Sequence, residues 1–129
     1  MPVELVRAAA LTDEVPYAYG AIARGLLFTA GACPLDAGGE VAHVGDVAAQ
    51  AALVMDNLVE ALTAAGCGLS DVVKSTVYVA SADREDLVSA WHVVRERFGE
   101  HDAPSTLLGV AALGFEGQLV EVEAVAVLP

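Results

Sequence analysis

Glu121 and Glu123 stand two residues apart in Gln118–Leu128, a stretch rich in valine that predicts a strand. Side chains alternate along a strand. Val120, Val122, Ala124 and Ala126 therefore share an apolar face, and Leu119, Glu121, Glu123, Val125 and Val127 share the other. Carboxylates on a face that turns apolar two residues later have two readings. Either both lie at a solvated strand end, or one lines a pocket, where a carboxyl beside a water can act as acid or base. Cys33 lies in a loop whose glycines and proline exclude regular structure, Gly31 to Gly39. A nucleophilic thiol needs a histidine or a helix N-terminus to lower its pKa. Neither stands beside Cys33, which leaves the plain buried thiol as the simpler reading. Ser105 and Thr106 can hydrogen-bond a neutral ligand or simply begin a strand and satisfy backbone groups. Trp91 is a core residue on a helix stripe or a stacking platform. Tyr17 closes a cleft with its ring and hydroxyl or packs there. His43, His92 and His101 show no metal spacing with one another or with the cysteines, so neither a metal nor a cofactor is expected.

The elements that must position these residues follow from periodicity. Gly20–Ala30 reads as two short strands around a turn at Arg24-Gly25. A helix should begin near Asp46, a good N-cap, and end at Gly66, with Val47, Ala51, Val54, Leu58 and Leu62 at three- and four-residue steps. Asp71–Ala80 predicts a strand with Val73, Val77 and Val79 on one face and Val72, Thr76 and Tyr78 on the other. A second helix starts near Ser81 or Asp83, buries Leu87, Trp91, Val94 and Phe98, and stops at Gly99. Strands near Thr106–Leu113 and Gln118–Leu128 close the chain. The order ββ, α, β, α, ββ predicts an α+β fold, with one sheet and two helices on one face. No repeat, linker or low-complexity tract divides residues 1–129, so a single domain is expected. Both alternating sets of Thr106–Leu113 are largely apolar, so the sheet's second face should also be covered. The chain has no spare helix for that task, which points to another copy of itself.

Bulk composition narrows the function. The chain has 129 residues, 56% of them hydrophobic, with a mean hydropathy of +0.57. It shows no uninterrupted apolar run of the roughly 18–20 residues a membrane helix needs, and Met1–Arg7 does not read as a secretory leader. Its net charge of −12 and its scattered basic residues disfavour nucleic acid and anionic membranes as partners. Two cysteines without a Cys-x-x-Cys read as free thiols of a reducing, cytoplasmic compartment.

The order and spacing of several short motifs resemble the Rid/YjgF family, also called the endoribonuclease L-PSP family. The motifs are Pro16-Tyr17, Thr29-Ala30-Gly31 with Pro34, Gln50, Asn57-Leu58, Ala65-Gly66, Asp71–Val77 and Val120–Ala126. The resemblance implies a chorismate-mutase-like fold and a homotrimer around a central β-barrel. It also implies clefts between subunits that take a small-molecule ligand. Family deaminases hydrolyse imines and enamines such as 2-aminoacrylate to 2-keto acids and ammonia. An arginine binds the substrate carboxylate, and a glutamate on the closing strand positions water. Carried onto this chain, that glutamate is Glu121, and Tyr17, Gly31 and the loop residue Cys33 belong to the cleft. Ser105 falls where the arginine belongs, Leu107 replaces a smaller group, and Trp91 replaces an asparagine. The expectation is a divergent member that binds or hydrolyses a small imine, enamine or related neutral compound, with weak or absent 2-aminoacrylate deaminase activity. Two alternatives stand beside it. One is a 2-imino acid deaminase with another carboxylate anchor, and the other is a non-catalytic ligand-binding or chaperone-like protein.

Overall fold

The computed structural model describes residues 2–129. Six strands and two helices follow in the order β1 (Glu4–Val6), β2 (Gly20–Ala23), β3 (Leu26–Thr29), α1 (Val47–Ala64), β4 (Val72–Val79), α2 (Arg84–Phe98), β5 (Ser105–Gly109) and β6 (Val120–Val127). They form one mixed sheet of order β1-β2-β3-β6-β4-β5, with β4 and β5 parallel and the other neighbours antiparallel. The α+β class expected from the element order is the one observed. The last strand in sequence therefore runs through the middle of the sheet, and both helices pack on the same face.

The helix boundaries follow from their caps. Asp46 accepts the Ala49 N–H at 3.0 Å and opens α1, while Asp83 accepts the Glu85 N–H at 2.9 Å and opens α2. Gly66 and Gly99 follow with φ of 80° and 67°, a backbone region open to glycine at little cost. By length and hydropathy alone α1 is apolar enough to cross a membrane. In the fold its apolar side, Ala51, Val54, Met55, Leu58 and Leu62, is buried against β3 and β6. Arg97 on α2 reaches Asp56 on α1 at 2.6 Å and ties the helices together at the surface.

Two expectations needed correction, and one strand was not foreseen. The strand placed at Thr106–Leu113 ends at Gly109. Its parallel partner β4 ends at Val79, so after the Val110 N–H reaches the Val79 carbonyl no backbone remains to pair with. The faces of β4 are shifted by a bulge between Val72 and Lys74, which leaves Val73 exposed and turns Val72 into the core with Ser75, Val77 and Val79. The opposite face of β4 is thus Lys74, Thr76 and Tyr78, more polar than the alternation suggested. The short β1 has no forerunner in the pattern reading, since three residues are too few to show a period.

The sheet's second face carries no element of this chain. Phe28 is 46% exposed, Leu5 59%, Leu108 43% and Val127 44%. The register places Leu5, Ala21, Phe28 and Val125 in one row across it.

Gln50 holds the connections to this scaffold. It is fully buried on α1, donates to the Gly117 and Ala42 carbonyls at 2.9 and 3.2 Å, and accepts the Leu119 N–H at 2.7 Å. Replacing it by leucine keeps the volume and strands those three backbone groups, each worth about 1–3 kcal/mol when buried and unpaired. Gln50→Leu should lower stability in urea titrations by about 3 kcal/mol or more. A loss of about 0.5 kcal/mol, typical of a surface change, would show that the loops do not depend on it.

Candidate functional site

Glu121 projects from β6 on the uncovered face, half-buried. Three neighbours fix it. Gln118 donates to its Oε1 at 3.0 Å, and the Cys33 thiol faces the same oxygen at 3.5 Å. The third is Gly31. A Cβ built there would lie 2.1 Å from Glu121 Oε2 and 2.5 Å from its Cδ. Gly31 is thus required by the absence of a side chain rather than by a left-handed backbone. The loop is pinned at this height by the Ala32–Val122 bridge, with both backbone bonds formed at 2.7 and 3.2 Å. Asn57 on α1 holds its far side, donating to the Cys33 and Leu35 carbonyls at 2.8 and 3.0 Å.

Cys33 is 8% exposed. Burial, then the charge of Glu121, pushes its thiol up to about 12. Tyr17 lies against the same sulfur, and burial followed by that neighbour raises its hydroxyl well above the ordinary phenol value. Neither group is poised to ionise near neutral pH, so neither is an activated nucleophile. Tyr17, Gly31 and Cys33 also line a cavity of about 120 Å³ between the N-terminal segment, this loop and α1. Tyr19, Leu53 and Asn57 contribute to its wall, and Glu121 stands outside it across Gly31.

The second carboxylate is held differently. Tyr78 donates its hydroxyl to Glu123 Oε1, and that bond, with burial, raises the Tyr78 hydroxyl to about 12. Glu123 has a dedicated phenolic donor, whereas Glu121 has one amide and one thiol. Among the described residues the one ion pair is Arg97–Asp56, so no cation compensates Glu121.

The remaining predicted residues lie elsewhere in the chain. Ser105 and Leu107 pair with Ser75 and Val77 in β4, whose side chains face the helices. Leu107 packs against the core. Both therefore lie on the face opposite Glu121, and within one chain neither stands beside it. The residue that shares the row of Glu121 and Tyr78 is Leu108. Ser105 Oγ is bonded to Ser75 Oγ and donates to the Ala103 carbonyl at 3.2 Å. Trp91, half-buried on α2, meets Ser105 along a second groove of about 80 Å³, together with Arg95, Phe98 and His101. The predicted residues thus form two groups: Tyr17, Gly31, Cys33 and Glu121 in one, and Trp91, Ser105 and Leu107 in the other. Sequence reasoning missed Gln118 and Tyr78. Gln118 stands three residues before Glu121, but its reach back to that carboxylate depends on the turn entering β6. Among the described residues no cluster of His, Cys, Asp and Glu is arranged to hold a metal.

Known proteins share this fold and much of this sequence. The family described as Endoribonuclease L-PSP matches residues 7–128. A RutC family protein of Synechocystis sp. is 37% identical over 115 residues, covering 88% of this chain and 87% of that protein. The 2-iminobutanoate/2-iminopropanoate deaminase of Rattus norvegicus is 31% identical over 128 residues, covering 95% and 91%. Among solved structures, the Escherichia coli YjgF gene product superposes with a TM-score of 0.82 at 31% identity, covering 96% of this chain and 98% of that one. Escherichia coli TdcF, solved with bound serine, gives 0.83 at 28% identity, covering 98% and 99%. The chain belongs to the endoribonuclease L-PSP family, the Rid/YjgF proteins, whose relatives include deaminases of reactive intermediates.

The Cys33 environment yields a direct test. Alkylation of Cys33, followed by peptide mapping to separate it from Cys67, should be slow at pH 8 and still rising toward pH 10 or beyond, given a thiol at about 12. Glu121→Gln removes a negative neighbour and should shift that profile to lower pH. A profile that levels near the ordinary thiol value of about 8.5, or one that Glu121→Gln leaves in place, would contradict the arrangement.

Proposed function

We propose that this chain assembles as a trimer and hydrolyses a small imine, enamine or related weakly polar compound in clefts at its subunit boundaries. The observation that carries the reading is the Glu121 carboxylate, fixed by Gln118 and Cys33 on the sheet face that no helix of its own chain covers. The exposed apolar row on the same face supports a neighbouring copy as its cover. In that assembly Tyr17, Gly31, Cys33 and Glu121 form one wall of the cleft, and a neighbour supplies the other, with Trp91 from α2 and Ser105 and Leu107 from its edge strand β5. Glu121 takes a proton from a water as that water attacks the imine carbon. The nitrogen, protonated in turn, leaves as ammonia, and a carbonyl compound remains. The net charge of −12 supports a small molecule rather than a nucleic acid as substrate. The two free thiols, Cys33 and Cys67, support a reducing, cytoplasmic compartment.

Ser105 carries the divergence. It offers a neutral hydroxyl already engaged with Ser75 and Ala103, where a substrate carboxylate would need a charged donor. A 2-imino acid gains nothing comparable to a bidentate guanidinium contact there. The second reading, a retained 2-imino acid deaminase, is favoured by the deaminase named among the relatives. It requires a different cation.

Keto-acid formation from 2-aminoacrylate should be much slower than with an arginine-bearing relative, and Glu121→Gln should abolish whatever turnover is found. Light scattering should give a mass of three chains for both proteins. A particle at the monomer mass of 13.2 kDa would remove the cleft, and unchanged turnover in Glu121→Gln would assign the chemistry elsewhere.

A further inference from the structure

We propose that Gln118 is a positioning residue for Glu121, whose amide together with the Cys33 thiol holds Oε1 and leaves Oε2 as the oxygen that meets the water. The inference rests on the reading of Glu121 as the base for its place in catalysis, and on the geometry of this chain for the hold itself. Residues three apart in a strand face opposite ways. Gln118 reaches Glu121 because β6 begins only at Val120 and the turn before it folds back. Its side chain is buried, 3% exposed, and engaged at both ends. The side-chain carbonyl accepts the Phe115 N–H at 3.2 Å, and the amide nitrogen donates to the Val120 carbonyl at 3.2 Å and to Glu121 Oε1 at 3.0 Å. The backbone on either side is clamped from α1, since Gln50 donates to the Gly117 carbonyl and accepts the Leu119 N–H. An amide held in this way cannot follow the carboxylate, so the carboxylate follows the amide.

The two Glu121 oxygens are thereby made unequal. Oε1 faces two donors, the Gln118 amide at 3.0 Å and the Cys33 thiol at 3.5 Å, which match the two lone pairs of a carboxylate oxygen. Tyr78 stands opposite Glu121 in the register but gives its hydroxyl to Glu123. Oε2 has no hydrogen-bond partner among the described residues. No buried side-chain oxygen among them lacks a partner, so Oε2 is open to solvent. A water on Oε2 meets a base whose other oxygen is fixed, which is the orientation that proton transfer needs.

Cys33 reports where the carboxylate lies, with or without turnover. The charge and hydrogen bond of Glu121 raise its thiol, whereas the contact with Gln118 lowers it and is the smaller effect. Tyr17 and Tyr19 also face the sulfur, and their hydroxyls, raised above the ordinary phenol value, stay neutral across the assay. The experiment follows iodoacetamide alkylation of Cys33 against pH in the wild type, Gln118→Met, Glu121→Gln and the double variant. Gln118→Asn joins them as a variant that keeps a buried amide but ends about 1.5 Å short of Oε1. Gln118→Met and Gln118→Asn should shift the profile to lower pH, in the direction of Glu121→Gln, because the released carboxylate leaves the sulfur. In the Glu121→Gln background Gln118→Met should give no downward shift, since no carboxylate is left to release. With 2-aminoacrylate, both Gln118 variants should lose about tenfold or more in kcat with KM little changed. A profile that moves up or stays in place means that Glu121 keeps its position without Gln118 and overturns the assignment, as does a loss carried by KM with kcat intact. A downward shift in a protein whose wild type shows no turnover keeps the hold on Glu121 and removes only the catalytic reading.

Discussion

The close approach of Gly31 to the Glu121 side chain is the contact on which the rest of the site depends. Glu121 lies across the loop in this position because Gly31 has no Cβ there: the missing atom would fall 2.1 Å from Oε2 and push the carboxylate aside. Everything that sets this height is structural. The Ala32–Val122 bridge fixes the loop against β6, Asn57 fixes it against α1, and the central position of β6 fixes Glu121 itself. The sequence spends a fully buried glutamine, Gln50, on the connections that deliver β6 to its place. A buried amide with its hydrogen bonds met is worth keeping because any substitution strands several backbone groups at once.

Charge and apolar surface then divide the molecule. The helix-covered face is a continuous aliphatic core of Leu27, Val54, Leu58, Val77, Val122 and their neighbours. The other face is apolar at the β1–β3 end and polar around Tyr78, Glu121 and Glu123. A face of this mixed kind suits a boundary with a second copy better than it suits open water, since the apolar part needs cover and the polar part tolerates a wet cleft. The same division explains why the predicted site residues fall into two groups that do not meet within one chain. A cleft made by two copies would reunite them.

Much of this was legible in the sequence where a single local rule decides. Asp46 and Asp83 mark helix starts because a carboxylate cap needs only the next turn, and Gly66 and Gly99 mark the ends for an equally local reason. The alternation of Val120–Val127 displays both faces of β6 without help from any partner. Legibility stopped where pairing decides. The end of β5 is set by the end of β4, and the bulge at Val73 by the register between β4 and β6, neither of which is written in one segment. Leu107 was placed beside Glu121 by resemblance, and the parallel pairing with Val77 turns it to the opposite face.

The central claim, that Glu121 works in a cleft completed by a neighbouring copy, is tested most directly by a crystal structure of the assembled protein. The account predicts that Glu121 of one copy faces Trp91 and Ser105 of the next across a water-filled cleft, with an ordered water on its free oxygen. Glu121 open to bulk solvent, or packed in a boundary filled by side chains, would contradict it.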